Sequence, residues 1–195
     1  MEVWIINLAQ GTENKIYESK QARNVLGWTK DDHLLIREFN TDGSGYTIKE
    51  LSLKSEAGLS LLHNVDILDL SSDGGKILYS PQRPSSEIWT FDIANQEKQQ
   101  VLSLEDGIQF DPTATFSPKG DRVVALDYTG NTGERTVRVI DLKSGEMSNF
   151  KAADNVIYTS TAEWIINNLL LVNGRQSGNS KAWTISLNPG GDSDE

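Results

Sequence analysis

The chain repeats itself, and the period of the repeat constrains its fold more than any other feature. Five short runs end in a polar residue followed by Leu or Ile. They are Trp4-Ile-Ile-Asn-Leu8, Lys49-Glu-Leu-Ser-Leu53, Trp89-Thr-Phe-Asp-Ile93, Arg138-Val-Ile-Asp-Leu142 and Trp183-Thr-Ile-Ser-Leu187. Their last residues fall at 8, 53, 93, 142 and 187, giving spacings of 45, 40, 49 and 45. Turn-rich stretches such as Ala94-Asn-Gln-Glu97 and Lys143-Ser-Gly-Glu146 follow them, the signature of a strand entering a hairpin. A second motif alternates with the first: Trp28 to Ile36, Leu70 to Tyr79, Phe116 to Ala125 and Trp164 to Val172. In each, a large apolar residue ends one strand, a tight polar turn follows, and an apolar strand resumes. Gly, Asn and Asp suit such turns because they tolerate positive φ. The starts at 28, 70, 116 and 164 are 42, 46 and 48 residues apart, so both motifs share one period.

The repeating unit is therefore four strands: A, the tight turn, B, C with the first motif, and D. Four-stranded antiparallel sheets of about 40–45 residues in tandem predict an all-β chain built as a β-propeller. Helices fit badly, because Gly or Pro interrupts nearly every window and no sustained helical stripe is present.

The turn Phe116-Ser-Pro-Lys-Gly-Asp-Arg-Val123 and the strand Ile88-Trp-Thr-Phe-Asp-Ile93 resemble the propeller repeats of TolB. The same repeats occur in the non-catalytic domains of dipeptidyl-peptidase and prolyl-oligopeptidase families and are WD-repeat-like. The resemblance covers nearly all of residues 2–187. Only the repeat at 111–150 carries the full turn motif; Ser72 replaces its Pro in the previous unit, and residues 28–36 and 164–172 lack its Ser-Pro and Gly.

The phase of the repeats predicts a half blade at 2–18, blades at about 24–62, 66–104, 111–150 and 157–187, and a disordered acidic tail at 188–195. The strand sum is two, then three fours, then three. A sequence that opens at strand C and closes at strand C reads as an arc cut from a longer propeller. The rival is a closed ring of four blades in which Glu13 to Glu18 completes the last sheet. An arc leaves apolar blade faces bare at both ends, so self-association is expected.

Composition narrows the function. Acidic residues outnumber basic ones 28 to 18, for a net charge of −10. That sign opposes non-specific binding to nucleic acid and to anionic membranes. The longest apolar run, Leu169 to Val172, is strand-sized, so membrane insertion is not expected. With no Cys and two His, thiolate metal sites and a Cys nucleophile are excluded.

Three segments imitate chemistry. Asn40-Thr-Asp-Gly-Ser-Gly-Tyr46 opens like a calcium loop, but Leu51 stands where the loop needs its final Glu. Gly174-Arg-Gln-Ser-Gly178 misses the nucleophile-elbow spacing. His33 and His63 read as turn residues. No catalytic residue, metal site or cofactor is expected.

Binding remains. The B–C connections, at about 39–46, 80–87, 129–135 and 173–181, are the longest and most variable, and carry Arg83, Tyr128, Arg135 and Arg175. Such residues favour interface hot spots, and loops on rigid scaffolds carry function. The expected function is a non-catalytic scaffold for a protein or peptide. Alternatives are the gating propeller of a serine peptidase, or a sugar- or small-ligand-binding propeller. The TolB resemblance implies an extracytoplasmic setting, although residues 1–8 do not read as a signal peptide. The five Trp fall in two columns, Trp4, Trp89 and Trp183, and Trp28 and Trp164, and are expected to be buried between blades.

Overall fold

The computed structural model of the chain describes residues 1–53, 58–81, 85–104, 108–110, 113–129 and 135–187. The tail at 188–195 lies outside the described residues. Seventeen strands, and no helix, run through what is described. Two strands, β1 (Glu2–Asn7) and β2 (Thr12–Glu18), form a hairpin by themselves. Next come β3 (Ala22–Trp28), β4 (Leu34–Phe39), β5 (Tyr46–Leu51) and β6 (Leu59–Leu70), paired antiparallel in that order. The chain continues through β7 (Lys76–Ser80), β8 (Glu87–Asp92) and β9 (Lys98–Ser103). Then come β10 (Ile108–Phe110), β11 (Thr115–Phe116), β12 (Arg122–Thr129), β13 (Arg135–Asp141) and β14 (Met147–Lys151). The last sheet is β15 (Val156–Ile166), β16 (Leu169–Gln176) and β17 (Asn179–Ser186).

One strand belongs to two sheets. The first half of β6 pairs with β5, and its second half, from Asp66, pairs with β7. Between the halves Asn64 takes a φ of 56°, and the β5 register shifts there. A bulge bends a strand. So the outermost strand of one sheet becomes the innermost strand of the next without a loop.

The sheets stack in sequence through four apolar cores. Val3, with Ile16 and Tyr17, packs on Leu34, Ile36 and Leu51. Leu35 and Ile48 pack on Ile77 and Phe91. Leu78 and Ile88 pack on Phe116, Val123 and Ala125. Val124 and Val139 pack on Tyr158, Leu170 and Val172. Thus the second strand of each of the three middle sheets, β4, β7 and β12, is covered on both faces, which is why it reads as an unbroken apolar run. No core joins the last sheet to the first among the described residues. The β2 strand pairs with β1 and not with β17, so the four-blade closed ring gives way to an open arc.

The Trp columns are corrected by the structure. Trp4 and Trp28 are about half exposed, at 49% and 48%. Trp89, Trp164 and Trp183 are half-buried against the cores. The third strand lies farther out, where stacked sheets diverge, and the fully buried places fall to Ile88 and Phe91 on either side of Trp89. The Trp89 indole N–H donates to Glu87 Oε2 at 2.9 Å, which a wholly apolar niche would not permit.

At one end the tight turns between first and second strands form a belt. Ser71 Oγ accepts from Lys76 N at 2.8 Å, and Ser117 Oγ accepts from Arg122 N at 3.1 Å. Thr29, one turn earlier, accepts from His33 N at 3.2 Å. In each, the hydroxyl residue is buried and satisfies the first amide of the apolar strand. Positive φ is needed three residues on, and Asp32, Gly74 and Gly120 supply it at 58°, 68° and 68°. The unit at 28–36 therefore keeps the geometry without the Ser-Pro and Gly. The turns also bond to one another: Lys30 N to Gly74 O, Ser72 Oγ to Pro118 O, and Lys119 N to Asn167 Oδ1.

Candidate functional site

A cavity of about 510 Å³ opens where the fourth and fifth sheets meet, at the end of the arc opposite the turn belt. Arg135 begins β13 there, beside the connection from β12. Lys151 ends β14, and Ala152 to Asn155 lead into β15. The walls add Asp127, Thr136, Arg138, Val156 and Tyr158. Burial pushes the Tyr158 hydroxyl above its ordinary pKa, so it stays neutral near pH 7.

The polar wall is built from alternate strand positions. Asp127 is buried on β12, and its Oδ1 accepts from Thr136 N at 3.0 Å. Its Oδ2 accepts a short bond from Arg138 Nε. Arg138 also donates to Asn149 Oδ1 at 3.1 Å, which pins the guanidinium. Arg135 Nη1 donates to Thr159 O of β15 at 3.0 Å, bridging the two sheets. Three cations and two carboxylates, Asp127 and Asp154, line the cavity, a positive excess in a chain of net charge −10. Arrays of this kind attract carboxylates, because a guanidinium presents paired donors to them.

The same device recurs two sheets earlier. Glu38 and Lys49 occupy the positions of Asp127 and Arg138, with Lys49 Nζ 2.7 Å from Glu38 Oε2. There the space is filled: Tyr17 of the hairpin donates to Glu38 Oε1 at 2.5 Å. Burial pushes Glu38 up, but bonds from Lys49, Tyr17 and Ser19 outweigh it and hold its pKa low.

Of the four residues expected to bind a partner, the structure brings Arg135 to this cavity. The Tyr128 backbone lies directly across the ladder from Arg135, while its side chain lies outside what is described. Arg83 also lies outside the described residues. Arg175 is not in a loop. It stands exposed on β16 between Ile157 and Ser180, because β16 and β17 are joined by the two-residue turn Ser177-Gly178 rather than a long connection. Arg138, Lys151 and Asp127 escaped sequence reading. Their one signal is a polar residue breaking an apolar alternation, as in Ala-Leu-Asp127 and Thr-Val-Arg138.

The imitative segments resolve into turns and pairs. The oxygens of Asn40 and Asp42 are engaged by Thr47 and Ser44 within the β4–β5 connection. Glu50 sits 3.0 Å from His33 Nδ1, and His63 contacts the Thr47 hydroxyl at 3.2 Å. At the opposite end, Asp69 Oδ2 accepts from Phe116 N at 2.8 Å and clips the third sheet to the fourth. Burial pushes the Asp69 carboxyl up.

No protein-family model and no curated protein matches the sequence. Solved structures do match. TolB from Agrobacterium tumefaciens superposes with a TM-score of 0.62 at 12% identity, over 95% of this chain and 70% of its own. The β-propeller domain of the Trilobed protease from Pyrococcus furiosus, described as having an open velcro topology, gives 0.56 at 16%, over 87% and 59%. The fold is a β-propeller. A prolyl endopeptidase gives a TM-score of 0.69 at 15% identity, over 94% of this chain and 30% of its own. The chain spans 57% of an oligogalacturonate lyase that it also matches. The enzymes among these neighbours are matched in their propeller portions, and identities this low carry the fold alone. The sheets of this chain are accordingly blades, and the cavity lies between the fourth and fifth.

Proposed function

We propose that this propeller arc is a non-catalytic scaffold that binds a protein or peptide segment at its loop face, with an acidic group of the ligand seated between the last two blades. The observation that carries this reading is the cavity of about 510 Å³ lined by Arg135, Arg138 and Lys151. Its size suits one or two side chains rather than a whole domain, so it serves as an anchor for a longer segment. The fixed guanidinium of Arg138 and the tethered Arg135 are pre-ordered, which lowers the entropy lost on binding. Among the described residues no helix is long and apolar enough to cross a membrane. An extracytoplasmic setting, as the TolB likeness suggests, is part of this proposal.

The test uses fluorescein-labelled decapeptides with one Asp, Glu, Lys or neutral residue at each position, read by anisotropy. Acidic peptides should bind best, and Lys151→Glu should weaken them at least tenfold without changing the melting temperature. Equal binding of acidic and basic peptides, or indifference to Lys151→Glu, would refute the reading.

A further inference from the structure

We propose that this 195-residue chain associates head to tail with a second copy of itself, the outer face of its last blade docking on the free face of another copy's β1–β2 hairpin. The proposal rests on a junction the chain already makes four times. In each core, one blade's later-facing side meets the earlier-facing side of the next blade. The hairpin uses its later-facing side, through Val3, against the second blade. Side chains alternate along a strand. Trp4 and Ile6 therefore stand on the opposite, earlier-facing side, and they are 49% and 56% exposed. Lys15 lies 6.0 Å from the Trp4 ring centroid and bonds Glu2 and Glu18, so this apolar face has an ionic rim.

The last blade presents the other half of the junction. Leu170 and Val172 point back into the core with the fourth blade. Leu171, between them, occupies the position of Leu35, Leu78 and Val124 in the earlier blades. Those three are fully buried by the blade that follows, whereas Leu171 is half-buried. Ile157 and Ile166 of β15 lie across the ladder from Arg175 and Leu169, on the side of Leu171, and are 56% and 54% exposed. Arg175 stands on this side too, and the hairpin rim offers Glu2 and Glu18. The face left open at one end of the arc thus matches in kind the face left open at the other. A second copy supplies it in the register the intramolecular junctions use. Contact between two different patches is heterologous and either closes a ring or grows a filament.

Sedimentation velocity of the intact chain at 10–100 μM tests this. The wild type should sediment as a dimer or larger, with the larger species growing with concentration. Ile6→Lys and Ile166→Lys change exposed residues on the two faces, and each variant alone should be monomeric. Their equimolar mixture should restore a one-to-one dimer and nothing larger, because one intact face of each kind remains. Circular dichroism confirms that both are folded; Ile6→Ser and Ile166→Ser replace them if either is not. A monomeric wild type overturns the proposal, and so does a mixture that stays monomeric. Self-association surviving in either single variant also overturns it, by indicating like-to-like pairing.

Discussion

The inter-blade turn belt can be tested by two glycines that differ in one respect. Gly74 and Gly120 stand at the same position of successive turns, both with φ of 68°. In each, the amide closes the turn onto a Ser carbonyl at 2.8 Å. Alanine at either site meets the left-handed penalty of about 1–2 kcal/mol. Around Gly120 a new Cβ finds open space, its nearest neighbour Ser71 Cβ being 3.9 Å away. At Gly74 the Cβ would lie 2.3 Å from Trp28 O and 2.9 Å from Thr29 Cα and C. A carbon normally approaches a carbonyl oxygen to about 3.3 Å, so the turn must retreat by about 1 Å. The retreat lengthens the Lys30 N to Gly74 O bond, already 3.4 Å, and opens the junction of the second and third blades. Overpacking of this kind costs about 1–3 kcal/mol. Urea unfolding should therefore place Gly120→Ala at about 1–2 kcal/mol below wild type, and Gly74→Ala about 1–3 kcal/mol lower still. A difference under about 0.5 kcal/mol between the two variants would mean that the turns do not bear on one another.

Two further outcomes follow from the blades themselves. Trp89→Ala should cost about 2 kcal/mol in the same assay, below the range for a fully buried aromatic, because the ring is half-buried and its N–H is held by Glu87; a loss above about 4 kcal/mol would contradict that burial. The Glu38 carboxyl has a folded pKa below its unfolded one, so its stabilisation is present above the unfolded value, about 4.3, and is lost as pH falls through the folded value. Glu38→Gln should flatten that acid limb in pH-dependent melting, and an unchanged slope would show that the Tyr17–Glu38–Lys49 cluster does not couple to folding.

The periodicity of the sequence determined the blade count and strand order, because each blade is a local antiparallel meander whose turns announce themselves as Gly, Asn and Asp. The apolar runs at Leu34-Leu-Ile36, Ile77-Leu-Tyr79 and Val123-Val-Ala125 announced strands covered on both faces. Chemistry at the site was hardly legible. Arg135, conspicuous in the sequence as an Arg at a loop edge, lines the cavity. Arg138 and Lys151 were not conspicuous, because each is one polar residue in a strand, and its surroundings come from other strands. Which tryptophans are buried was also beyond local pattern: Trp4 and Trp89 occupy the same strand position, and only the number of blades packed against that strand separates them. The pairing of Tyr17 with Glu38 was decided by which strand lies next door. Repeats specify strands because hydrogen bonding within a blade is local in sequence. Cavities, free faces and ion-pair surroundings arise between blades, from residues about one repeat apart, and were settled by the stacking of the tertiary structure.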